Sequence, residues 1–231
     1  MMKQTVLAMA VLASTATAAL AADSVDVRVI GTIVPASCTP SLSGGGTVDY
    51  GTIKADSLNA TGYTSLPEKQ LDFSITCDAP AKVAIQGVNG RAGSMAGVTE
   101  SANTTGTVPV AIFGMSNVGG VGLGMDGSAK IGGYSIRIDK ATAVADGNAV
   151  DVISVTGGGQ PWAKPADSSL LFSPVWSRRV SWSNPGSLAP VAFTTMTGKL
   201  GVQGYINQRS QLDLTKPVHL DGLTTIELIY L

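Results

Sequence analysis

Hydrophobic and polar residues alternate with a period of two along most of this chain, and no long segment repeats at helical spacing. Val25, Val27 and Val29 alternate with Asp26 and Arg28, and the phase runs on through Gly31 and Ile33 toward Cys38, which predicts a strand over 25–38. Further strands are expected over Thr47–Ile53, Lys69–Cys77, Ala81–Gly87, Val108–Phe113, Gly132–Ile138, Ala149–Val155, Val180–Trp182, Pro190–Met196 and Lys199–Ile206. Trp176 and Trp182 share a phase if both lie in strands, and are expected to pack inward. Residues 54–67, 89–106, 117–127 and 207–217 read as loops, because glycine, serine, asparagine and proline gather there. The final stretch, Leu223–Leu231, places Ile226, Leu228 and Tyr230 on one face and Thr225, Glu227 and Ile229 on the other. Glu227 is the only charge on this last strand, so an edge here lacks the charge or proline that usually blunts one. Many short strands with frequent turns predict an all-β sandwich.

The N-terminus changes the picture from fold to compartment. Met1-Met-Lys3, an apolar run to Ala13, and the small residues before Ala21 read as a secretory signal peptide over residues 1–21. Its apolar run is too short to span a bilayer, and nothing later is long enough, so no membrane span is expected in the mature chain. Export implies an oxidising compartment, in which Cys38 and Cys77, the only two cysteines, are expected to pair.

Charged residues make up 13% of the chain and the formal net charge is −1. That excludes the basic footprint of a nucleic-acid binder and favours self-association over mutual repulsion. Candidate chemistry is sparse. His219 is the only histidine, so no Ser-His-Asp or Cys-His set can form. Gly124–Ser128 lacks the alternating acidic ligands of a calcium loop. No metal, cofactor or catalytic residue is expected, and the chain is not read as an enzyme. Trp162, Trp176 and Trp182 cluster within about twenty residues and offer a ligand platform in a second reading, that of a secreted, monomeric carbohydrate-binding sandwich.

The ordered set of Val25-Asp-Val-Arg-Val29, Gly31 to Cys38, Val48-Asp-Tyr-Gly-Thr-Ile53, Phe73-Ser-Ile-Thr-Cys77, Val83-Ala-Ile-Gln-Gly87 and Ile226-x-Leu-x-Tyr230 resembles the subunits of chaperone–usher fimbriae. The resemblance covers the first 65 or so mature residues and about the last 30. It implies a pilin-like, incomplete immunoglobulin-like β-sandwich over 31–231, completed by a donor strand, with residues 22–30 as the N-terminal arm given to a neighbour. Val25, Val27 and Val29 would be the donated side chains, and Ile226, Leu228 and Tyr230 would line the groove and engage a chaperone. The implied partners are neighbouring pilin subunits, a periplasmic chaperone and an outer-membrane usher, with a host or surface glycan as a further candidate. The implied location is the periplasm in transit and then a cell-surface fimbrium.

Overall fold

A computed structural model describes residues 25–167 and 169–231, so the expected signal peptide and the first residues of the expected arm lie outside the described residues. The described chain is all-β, with no α-helix among its described residues. Nine principal strands are β1 (Cys38–Leu42), β2 (Lys69–Ala81), β3 (Val83–Asn89), β4 (Gly119–Gly122), β5 (Gly132–Ile138), β6 (Asp151–Thr156), β7 (Arg178–Ser183), β8 (Phe193–Ile206) and β9 (Thr224–Tyr230). One sheet runs β1-β2-β8-β5-β4 and ends on the two-residue strand Gly106–Thr107; the other runs β6-β7-β3-β9. Every pairing between these strands is antiparallel.

The two sheets share one apolar core. Ile75, Ile138, Met196 and Leu200 of the first sheet meet Val83, Ile85, Val180 and Trp182 of the second. Trp182 sits fully buried, its ring stacked 6.4 Å from Phe73 and edge-on 5.8 Å from Phe193. Offset and edge-to-face geometry of this kind adds to what burial alone contributes. The disulfide Cys38–Cys77 joins directly opposed residues of β1 and β2, tying the edge strand to the sheet.

Successive strand residues point to opposite faces, so while Ile206 enters the shared core its neighbour Tyr205 enters a second cluster on the other face of β8. Met95, Ile112, Val118 and Leu170 surround Tyr205, whose hydroxyl donates to the Ala96 carbonyl at 2.7 Å. Residues 89–106, expected as a surface loop, therefore carry Met95 and Ala96 with no exposed surface. Glycines permit the close approach: a Cβ on Gly122 would lie 2.1 Å from the Ser94 hydroxyl oxygen, and one on Gly119 would strike the Phe172–Ser173 backbone.

Several expected strands are absent, each for a local reason. Residues 25–37 have no regular structure and the first strand opens at Cys38. Alternation marks the face that would be buried, but a strand also needs a ladder partner, and no strand among the described residues pairs with 25–34. In 47–53 an Asx turn, with the Gly51 N–H donating to Asp49 Oδ1 at 2.6 Å and Gly51 at φ +63°, interrupts the extended run. Residues 108–113 fold as turns around Pro109, with Val108 and Ile112 both buried, and Ile112 and Met115 exchange backbone bonds. Residues 117–127, expected as loop, contain β4, all four residues of which are buried. β2 runs on past its expected end at Cys77 to Ala81, while the strands expected on either side of Thr197–Gly198 are one strand, β8.

Val144–Ala145 and Asn148–Ala149 form a small hairpin whose turn residues, Asp146 and Gly147, both have positive φ, the backbone that Asp-Gly turns favour. The Asp146 carboxylate accepts from the Thr194 hydroxyl at 2.7 Å and the Thr195 N–H at 2.8 Å, capping the irregularity where β8 shifts register against β2.

Two outcomes follow from these bonds. The disulfide closes a separation of 39 residues, which in the chain-entropy picture stabilises by about 4 kcal/mol. Reduction, or Cys38→Ser with Cys77→Ser, is expected to lower the thermal midpoint by roughly 10 °C, measured by circular dichroism. The Thr194 and Thr195 hydrogen bonds hold the Asp146 carboxyl below its ordinary value. A carboxyl depressed in the folded state contributes stability above the unfolded value that is lost as pH falls through the folded one. Asp146→Asn should therefore melt below wild type near neutrality, and the gap should close as the pH is taken below the ordinary aspartate value of 3.8.

Candidate functional site: an open groove and a free strand edge

β9 pairs with β3 on one side and with no strand on the other among the described residues. The register is fixed by two flanking bonds: the Gly90 N–H donates to the Leu223 carbonyl at 2.8 Å, and the Leu231 N–H to the Lys82 carbonyl at 3.0 Å. In an antiparallel ladder the residues that exchange bonds alternate, so odd-numbered residues of β9 bond to β3. The N–H and C=O groups of Thr224, Ile226, Leu228 and Tyr230 consequently point to the open edge. The same four residues carry the side chains turned toward the core: Ile226 and Leu228 pack against it and remain partly exposed.

Both ends of β9 are pinned to the opposite sheet while its middle is not. At the start, the Tyr134 and Thr224 hydroxyls share a 2.6 Å hydrogen bond, and burial pushes the Tyr134 hydroxyl up to about 12, so it stays protonated. Just upstream, Arg91 grips Asp221 through two bonds of 2.6 and 2.8 Å, which holds the Asp221 carboxyl below its ordinary value. At the far end, the Cys38 N–H donates to the Tyr230 hydroxyl at 2.7 Å. Tyr230 thus works through its hydroxyl, its side chain being half-exposed.

A groove of about 730 Å3 lies between the irregular 48–58 segment and the 212–220 segment that leads into β9. Val48, Tyr50 and Ile53 line one wall; Leu212, Leu214 and Val218 line the other. All six pack on the core yet stay partly exposed. The Tyr50 hydroxyl donates to the Val202 carbonyl at 3.2 Å, and burial raises it above its ordinary value, so this wall carries no charge from it. Lys216, at the rim, is paired with Asp126 at 2.8 Å. His219 lines the groove and is exposed.

Ile226, Leu228 and Tyr230, expected to line the groove, lie on β9 and are not among the residues that line this one. Leu212 and Leu214 fall inside the expected loop 207–217, and Val218 and Leu220 lie between it and the last strand, although all four share the even-numbered phase of Ile226 and Leu228; that shared phase is the available signal. Val25, Val27 and Val29 are 86–92% exposed, as are Ile30, Ile33 and Val34 at 77–99%. The tryptophan platform is not assembled. Trp182 is sealed in the core, Trp162 is half-buried, and Trp176 is 61% exposed. Trp176 escapes the phase of Trp182 because β7 begins only at Arg178. Among the described residues no cluster of three or more His, Cys, Asp or Glu side chains is placed to hold a metal ion, and no helix is long and apolar enough to cross a membrane.

Residues 27–135 match the family described as "Protein of unknown function (DUF1120)". The chain is 31% identical over 242 residues to Protein GltF of Escherichia coli (strain K12), covering 96% of this chain and 95% of that one. It is 28% identical over 227 residues to the uncharacterized protein YhcF of the same organism, with 94% of each chain covered. No solved structure matches. With similarity to GltF running nearly end to end, the chain belongs to the GltF family.

Proposed function

We propose that this protein is a structural subunit of a surface fimbria, an immunoglobulin-like sandwich that lacks one strand and receives it from a second copy. The observation that carries this reading is the outer edge of β9. Four residues there present main-chain donors and acceptors beside partly exposed Ile226 and Leu228, and the segment that leads into β9 lines an apolar groove. Strand addition at a sheet edge draws affinity from main-chain bonds and specificity from alternate side chains. The donor is the N-terminal arm, whose apolar residues Val25, Val27, Val29, Ile30, Ile33 and Val34 are exposed. In transit a periplasmic chaperone would lend the strand, and assembly would proceed through an outer-membrane usher. The role is architectural, with no catalytic group assigned.

Burying one valine contributes about 1.5–3 kcal/mol, so each donated valine carries roughly a tenfold or greater share of affinity. A chain lacking residues 23–30 should fail to multimerise, yet bind a synthetic peptide spanning residues 23–34 and gain thermal stability from it. A Val27→Ala peptide should bind at least about tenfold more weakly, and a chain carrying Ile226→Asp and Leu228→Asp should not bind at all. Fluorescence anisotropy of the labelled peptide, with size-exclusion chromatography of the chains, reads all three. A truncated chain that is stable and indifferent to the peptide would overturn the reading.

A further inference from the structure

We infer that the cleft beside the far end of β3, closed on one side by Trp176, is a binding site for a neutral saccharide. It arises from a lapse in strand pairing. β3 and β7 are joined at Val180–Ile85 alone, so Gln86–Asn89 continue without β7 alongside. Phe172 fills part of the gap, and only a glycine at 87 admits it: a Cβ there would stand 2.9 Å from the ring. What remains is a shallow cleft of about 90 Å3, lined by Gln86, Asn103, Thr104, Trp176 and Ser177.

Trp176 is 61% exposed, and its setting is rigid. The Asn103 side-chain amide donates to the Val175 carbonyl at 2.6 Å, and the Thr105 hydroxyl donates to the Pro174 carbonyl at 3.3 Å. On the other side the Ser177 carbonyl accepts from the Gly157 N–H at 2.9 Å, and Asp167 clamps the Arg178 guanidinium. The backbone on both sides of the tryptophan is tied down, so the ring is presented in place and little conformational freedom is lost on binding.

The chemistry around that ring is polar and uncharged. The Gln86 amide and the Thr104 and Ser177 hydroxyls have no hydrogen-bond partner among the described residues. No carboxylate lines the cleft, and the one cation there, Arg178, is already paired with Asp167. An anion would find no free charge, and a purely apolar ligand would leave the amide and hydroxyls unmatched. A pyranose ring answers both features, with C–H groups on one face for the indole and hydroxyls at its rim for neutral donors and acceptors. The cleft opens on the edge of β3 away from β9, so strand addition at β9 leaves it accessible.

The test is a titration of the isotope-labelled exported chain with D-glucose, D-galactose, D-mannose and N-acetyl-D-glucosamine, followed by the indole N–H signals of its three tryptophans. Trp176→Phe assigns the relevant signal. At least one of the four sugars should shift the Trp176 signal saturably, with Kd on the order of 1 mM, and leave the Trp182 signal in place. Trp176→Ala should abolish the binding without moving the thermal midpoint. Asn103→Ala, which releases the Val175 carbonyl, should weaken it about tenfold. No saturable shift with any of the four, or binding that persists in Trp176→Ala, overturns the proposal.

Discussion

An antiparallel strand can satisfy its main chain only if both edges find partners or water, and among the described residues β9 satisfies one edge with β3 and leaves the other open. The rest of the second sheet is arranged around that asymmetry. Even-numbered residues of β9 direct their main-chain groups to the open edge and their side chains toward the core, so the place where hydrogen bonds are owed is also where apolar surface is half-covered. A segment that met one demand would meet both. Water can satisfy the main chain there, but it leaves Ile226 and Leu228 partly exposed.

The pinning of β9 makes this opening definite in shape. Thr224 at its start and Tyr230 at its end bond across to Tyr134 and Cys38 of the first sheet, and the Arg91–Asp221 pair fixes the approach. None of these bonds involves the Ile226–Leu228 stretch. A strand held at both ends and vacant along its middle edge differs from a fraying terminus, which would lose its register together with its contacts.

Much of the fold was legible because alternation survives wherever a strand has a partner: β2, β3, β5, β6, β7 and β9 fall where the pattern placed them, within a few residues. The pattern misled where burial is shared differently. Met95 and Ile112 are buried by covering the outer face of β8, and no periodicity announces a segment that lies flat on a sheet. The glycines of β4 read as loop because composition does not distinguish flexible glycine from glycine chosen for close approach. The hairpin around Asp146–Gly147 rests on ordinary Asp-Gly turn chemistry. At the groove, the alternation of Val48, Tyr50 and Ile53 predicts a strand, while Leu212 and Leu214 of the opposite wall fall in an expected loop. The reason is physical: both segments face a slot without a ladder, so the apolar phase persists while the secondary structure does not.

The management of the other sheet edges gives that slot its meaning. β1 is five residues long, contains Pro40 and is fastened by the disulfide. Gly106–Thr107, at the far side of the same sheet, is only two residues long. On the second sheet, β6 is partly covered where Ser154 and Ala163 exchange backbone bonds and Lys164 pairs with Asp151. Short length, proline and covering loops are the ordinary defences against edge-to-edge association. β9 has none of them along seven residues, and Glu227 is its only charge. In a chain of net charge −1, with little long-range repulsion to keep copies apart, an edge left undefended when its three counterparts are blunted supports the proposal that β9 receives a strand from another molecule.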